Sequence, residues 1–207
     1  MKRLLLCSSL ALATILPPPL QAQELITAAK APQQAPARRP DVIFVPTPQE
    51  AVDKMLEMAE IKKGDLLYDL GCGDGRIVVT AAKKYGIRAI GVDIDPKRIA
   101  ESRENVKKNN VGHLVEIRQA DIFELDLKDA DVVTLYLLPS LNVKLIPQLQ
   151  KLKPGTRIVS HSFDMEGVEP VEAVEEPATI YKWVAPIKTK REAAGAEPGK
   201  EKKAVGR

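Results

Sequence analysis

Three aspartates and three closely spaced glycines are the residues of this sequence best suited to hold a ligand. Asp69 closes the apolar run that starts at Leu66, and Gly71, Gly73 and Gly75 follow it at every second position. Asp93 ends the next apolar run, and Asp121 follows the third. A glycine turn after a strand lets the backbone bend sharply and pass close beneath a ligand with no Cβ in the way. The acids supply complementary acceptors. A carboxylate at Asp69 suits an ammonium group, one at Asp93 suits both hydroxyls of a ribose, and one at Asp121 suits the amino group of adenine. The amide of Ile122 stands beside Asp121 for a ring nitrogen. A nucleoside carrying a cationic amino-acid tail meets all these demands, and S-adenosyl-L-methionine is such a molecule. Cys72 and Ile94, next to these residues, are counted with the same site. Taken singly, each acid also reads as a strand-end cap, a turn acid before Asp95 and Pro96, or a surface loop acid. Three acids at three successive strand ends favour the ligand.

A nicotinamide dinucleotide fits less well. The glycines lack the two-then-three spacing that seats a pyrophosphate on a helix N-terminus. Asp74 within the turn would repel a diphosphate, whereas a sulfonium cofactor is cationic and carries no phosphate. Cys72 reads as a small residue that fits the turn, since no histidine or second cysteine supports thiol chemistry.

These residues need a scaffold that brings strand ends together. Pro48 followed by Ala51, Val52, Met55, Leu56 and Ala59 forms an apolar helical face, ended by Lys62–Asp65. Strands are expected at 66–70, 89–94, 114–119, 131–138, 156–160 and 179–185, and helices at 77–85, 96–109 and 141–152. Strands alternating with helices require an α/β fold with a parallel sheet covered on both faces. Ligands of such sheets bind beyond the carboxyl ends of the strands, which places Asp69, Asp93, Asp121 and Tyr136 along one edge.

The stretch Asp69–Arg76 with Asp93 and Asp121 resembles the class I, seven-stranded S-adenosylmethionine-dependent methyltransferases. Phe44–Pro48, Val133–Leu138 and Lys153–His161 narrow the resemblance to the small protein-lysine methyltransferases, the group of the broad-specificity archaeal enzyme and the mitochondrial ATP synthase c-subunit enzyme. The similarity covers about residues 42–184. It implies a Rossmann-like, doubly wound, mostly parallel seven-stranded sheet of order 3-2-1-4-5-7-6 with the last strand antiparallel. It also implies a protein substrate methylated on lysine. Tyr136 then stands where amine methyltransferases of this fold place the residue facing the methyl group, either orienting the amine through its hydroxyl or lining an apolar channel. Thr47, before the first helix, is placed to close over the methionine end. The sequence has Tyr136–Pro139 where nucleobase and glutamine enzymes carry Asn/Asp-Pro-Pro-aromatic, which weakens an adenine-methylating reading. A small-molecule or lipid methyltransferase on the same fold is the nearest alternative, and a non-catalytic cofactor-binding or scaffold protein a third.

Composition sets the remaining bounds. The chain has 207 residues with 29% charged, a formal net charge of +3 and 4% aromatic residues. That small excess and the few rings argue against nucleic acid as a partner. Two cysteines without metal-ligand spacing make zinc improbable, and no metal is expected. Residues 1–22 read as a signal-like segment: Lys2 and Arg3, an apolar core from Leu4 to Leu16, a proline break, and a cleavage point after Ala22. Residues 23–40 form a Pro/Ala/Gln-rich linker, 41–187 the methyltransferase domain, and 188–207 a basic tail expected to be disordered. The expected location is exported or membrane-associated on the periplasmic side, with a membrane tether through the N-terminal segment; a cytoplasmic or mitochondrial location is the alternative. Oligomeric state is not readable. His161 and Phe163 follow the fifth strand at the ligand edge. For His161 a satisfied structural histidine is the favoured reading and a general base the other.

Overall fold

The computed structural model describes residues 43–195. Seven strands form one sheet: β1 Leu66–Leu70, β2 Arg88–Asp93, β3 Val115–Gln119, β4 Val132–Leu135, β5 Arg157–His161, β6 Glu172–Val174 and β7 Ile180–Val184. Five helices accompany them: α1 Gln49–Met58, α2 Arg76–Tyr85, α3 Pro96–Lys108, α4 Pro139–Leu149 and α5 Lys190–Gly195. The strand order is β3-β2-β1-β4-β5-β7-β6, with β1 to β5 parallel and β7 antiparallel to both β5 and β6. This is the expected seven-stranded arrangement.

Side chains alternate across a strand, so a sheet covered on both faces splits its apolar residues into two layers. Leu67, Ala89, Val132, Val159 and Ile180 pack with α1 and α2 on one face. Their strand neighbours Tyr68, Ile90, Val133, Ile158 and Trp183 pack with Leu145, Ile146 and Leu149 of α4 on the other. Trp183 buries its ring and donates its indole N–H to the carbonyl of Val168 at 3.1 Å. Local signals set the helix starts: the Asp95 side chain accepts from the Lys97 amide at 2.8 Å to cap α3, and Pro139 occupies the first turn of α4.

Three elements differ from the sequence expectation. β4 ends at Leu135 and α4 already begins at Pro139, because the residue before a proline is held extended and Leu138 becomes the entry to the helix. Tyr136 therefore stands just beyond the strand. β6 has no counterpart in the residue-by-residue reading, since Glu172–Val174 is an exposed edge strand within an acidic stretch and shows no apolar alternation. Residues 190–195 form a helix where a disordered tail was expected; Glu192 accepts from the Thr189 amide at 2.8 Å and from Gln150, which follows α4, at 2.8 Å. The signal-like segment, the linker and the residues beyond Gly195 lie outside the described residues.

Candidate cofactor and acceptor site

The carboxyl ends of β3, β2, β1 and β4 border one cleft of about 950 Å³, its open mouth included. Asp69, Gly71, Cys72, Asp93, Ile94, Asp121, Ile122, Thr47 and Tyr136 are among the residues that line it. The structure thus brings together nine of the residues singled out from sequence. Gly73 and Gly75 differ. A Cβ on Gly73 would lie 2.1 Å from the Phe44 ring, and one on Gly75 would lie 3.0 Å from Cβ of Ser102 on α3. These two glycines make room for the protein's own side chains. Gly75 also holds the left-handed turn, φ +77°, from which α2 starts.

Asp69 is 2% exposed. Its Oδ1 accepts from the Thr134 hydroxyl on β4 at 2.8 Å, while its buried Oδ2 has no hydrogen-bond partner. Burial pushes its pKa from 3.8 up to about 7; the Thr134 bond opposes that rise, and the nearby charges of Asp93 and Asp74 add to it. Asp93 is held by amides: Oδ2 accepts from Gly73 and Oδ1 from Asp95, both at 2.9 Å. Burial still raises its pKa above the usual carboxylate value against those bonds. Asp121 caps a short 3-10 turn over Ile122–Glu124, accepting from the Phe123 amide at 3.0 Å. Three acids in one cleft, two with raised pKa, form a site that favours a cationic ligand. The Cys72 thiol is pushed up by burial, and a Cβ on Gly91 would lie 3.0 Å from its sulfur, so Cys72 packs the turn against β2.

Asp74 is not a free charge at the turn. Arg76 grips it bidentately, Nε to Oδ1 at 3.0 Å and NH2 to Oδ2 at 2.6 Å. Burial works against the Asp74 charge, but Arg76 outweighs it and holds the carboxyl below its ordinary value. The expectation that Asp74 repels a diphosphate is corrected accordingly, and the glycine spacing carries the argument against a dinucleotide. The same guanidinium donates through NH1 to the carbonyl of Thr47 at 2.7 Å. Arg76 thereby ties the glycine turn to residues 43–48, which run along the cleft. Phe44 in that segment lies over Gly73, with the Arg98 guanidinium 4.5 Å from its ring centre. Arg76, Phe44, Arg98 and Thr134 received no role from the sequence. Thr134 left one signal there, a lone hydroxyl in an apolar strand.

A seven-stranded sheet of this order, with acids at the ends of β1, β2 and β3 around a glycine turn, defines a class I S-adenosyl-L-methionine-dependent methyltransferase. The chain belongs to the ANTKMT methyltransferase domain family, whose model matches residues 69–172. It is 47% identical over 138 residues to a protein from Saccharolobus islandicus named protein-lysine N-methyltransferase, covering 66% of this chain and 86% of that one. It is 30% identical over 148 residues to the lysine N-methyltransferase of the ATP synthase c-subunit from Caenorhabditis elegans, covering 68% of this chain and 77% of the other. A Salinibacter ruber protein solved with S-adenosyl-L-homocysteine, and called an RNA methyltransferase, is 52% identical. It superposes with a TM-score of 0.67 over 69% of this chain and 94% of its own. S-adenosyl-L-methionine is the cofactor, and the orphaned oxygen of Asp69 fits its ammonium group.

Proposed function

We propose that this methyltransferase acts on lysine side chains of proteins. The observation that carries the reading is the order of groups along the strand ends. Asp121, Asp93 and Asp69 line the cleft from β3 to β1, and Tyr136, just past the end of β4, follows with Leu137, where the sequence has Tyr136-Leu137-Leu138-Pro139 in place of a carboxamide and Pro-Pro pair. The names of the two lysine-methylating relatives support the same acceptor.

In this reading Asp69 Oδ2 accepts from the cofactor ammonium, Asp93 from the ribose hydroxyls, and Asp121 with the Ile122 amide meets adenine. Gly71 and Cys72 form the floor, and Thr47, fixed through Arg76, closes the methionine end. When bound, the cofactor supplies an electrophilic methyl group on a positively charged sulfur. The protein then has to align an amine nitrogen with that methyl, and alignment alone lowers such barriers by several kcal/mol. A lysine nucleophile must also be neutral. With a free pKa near ~10.4, that costs about 4.6 kcal/mol at pH 7, and a wall that strips water from the amine reduces the cost. Tyr136, packed against His161 and Phe163, provides such a wall.

Incubation with methyl-labelled cofactor and a cell extract tests the acceptor. Label in protein that survives ribonuclease and maps to lysine Nζ by mass spectrometry supports the proposal. Label released by ribonuclease shows an RNA acceptor, and label in solvent-extracted lipid a lipid acceptor. Cofactor binding without any transfer shows a non-catalytic protein. We also infer export from residues 1–22, which sequencing the mature N-terminus tests: a start at Gln23 supports it and an intact Met1 overturns it. No helix among the described residues is long and apolar enough to cross a membrane.

A further inference from the structure

With the cofactor on the β3-β2-β1 side of the strand ends, the β4–β5 side is left for the acceptor. Leu135 pairs with Ser160 across β4 and β5, so the next residues, Tyr136 and His161, emerge side by side. Their ring centres are 4.2 Å apart, tilted by 48°. Phe163 stacks on Tyr136 at 6.2 Å. His161 is 5% exposed, yet its Nδ1 is buried with no hydrogen-bond partner. It is therefore not the satisfied structural histidine that the sequence favours. An unpaired buried acceptor costs about 1–3 kcal/mol and such atoms are rare in folded proteins; Oδ1 of Asn142, whose amide bonds the same turn, is another here.

The backbone around His161 is also fixed at some cost. Ser162 adopts φ +62°, a left-handed conformation unfavourable for a residue with a Cβ. Three hydrogen bonds from two side chains hold the turn. Asn142 of α4 donates its side-chain amide to the carbonyls of Phe163 at 3.2 Å and Asp164 at 3.0 Å, and the Ser160 hydroxyl donates to Phe163 at 2.6 Å. Strained residues that their surroundings over-determine cluster at functional sites.

Resting on the lysine reading, we propose that His161 is the hydrogen-bond acceptor that orients the substrate amine at the seam of β4 and β5. A neutral imidazole offers one lone pair and no charge, as an amine next to a sulfonium requires. Burial lowers the His161 pKa, which keeps the ring neutral at physiological pH. The Tyr136 ring, just beyond β4, packs on it, the Phe163 ring packs on Tyr136 in turn, and Ile180 pairs with His161 across β7.

The test compares His161→Phe, which keeps a ring and loses the acceptor, with His161→Gln, which keeps an acceptor and loses the ring. Calorimetry with S-adenosyl-L-homocysteine is expected to give wild-type affinity for both, which reports folding and an intact cofactor side. Transfer to the lysine substrate at saturating cofactor is expected to fall about tenfold or more in His161→Phe, the loss expected for one buried hydrogen bond. His161→Gln recovers part of that rate. Protonation of the substrate amine makes the rate fall on acidification in every variant; in the wild type the imidazole's own proton steepens that fall, and His161→Gln removes only the added steepness. A His161→Phe protein as fast as wild type, or a His161→Gln protein whose acid limb is as steep as the wild type's, overturns the proposal alone. A wild-type chain that labels no amine overturns the lysine reading and this proposal with it.

Discussion

Lowering the pH from 8 to 6 is expected to weaken binding of S-adenosyl-L-homocysteine about tenfold, through one residue. Asp69 keeps its proton up to about pH 7 because it is buried beside two other acids. The ligand ammonium needs the ionised carboxylate. That form makes up about nine-tenths of the protein at pH 8 and about one-tenth at pH 6, which sets the ratio of affinities. Stability of the free protein runs the opposite way. The folded chain holds a proton between 3.8 and about 7 that the unfolded chain has released, so stability falls as pH rises through this window and stays lower above it. About three pKa units correspond to about 4 kcal/mol. Asp69→Asn keeps an oxygen for the Thr134 hydroxyl and removes the charge. At pH 8 it is expected to bind roughly 10- to 100-fold more weakly, the worth of one hydrogen bond to a charged group. It is also expected to melt several degrees higher than the wild type at pH 8, a gain that shrinks towards pH 4. Calorimetry across pH 6–8 and thermal melts across pH 4–8 measure both. A wild-type affinity flat between pH 6 and 8, or an Asp69→Asn variant that keeps the tenfold slope, refutes the reasoning and moves the titration to another acid such as Asp93.

Two further outcomes follow from the packing. Gly73→Ala places a Cβ where the Phe44 ring lies, at φ +54°, so residues 43–47 are expected to leave the cleft and ligand affinity to drop about tenfold. In a Phe44→Ala background the same change should cost much less, and equal costs in both backgrounds would show that the two residues are not coupled. Arg157 at the start of β5 pairs with Asp65 and donates to the carbonyl of Ala59 at 3.0 Å, with both side chains about nine-tenths buried. Arg157→Ala leaves the Asp65 charge buried and is expected to destabilise the fold by about 3–5 kcal/mol in urea denaturation. Ligand affinity of the folded fraction should not change; a loss below about 1 kcal/mol would contradict the burial argument.

By itself the sequence determined the sheet and the class of ligand. Short apolar runs alternating with helical faces admit a doubly wound sheet, because each strand buried on both faces must be apolar along its length. Acids at the ends of three such runs then share one edge by topology alone. Elements without an apolar signature escaped this reading: β6, an exposed strand among acids, and α5, held by contacts of Glu192 with Thr189 and Gln150. Only the tertiary structure decided what each site residue faces. Gly73 and Gly75 leave room for Phe44 and Ser102, because neighbours distant in sequence settle where a side chain goes, and Asp74 has its charge matched by Arg76 through the shape of the turn they share. The same holds for the three unpaired buried atoms, Asp69 Oδ2, Asn142 Oδ1 and His161 Nδ1. Whether a buried polar group is satisfied depends on every group that reaches it in space, and that is known only once the chain has folded.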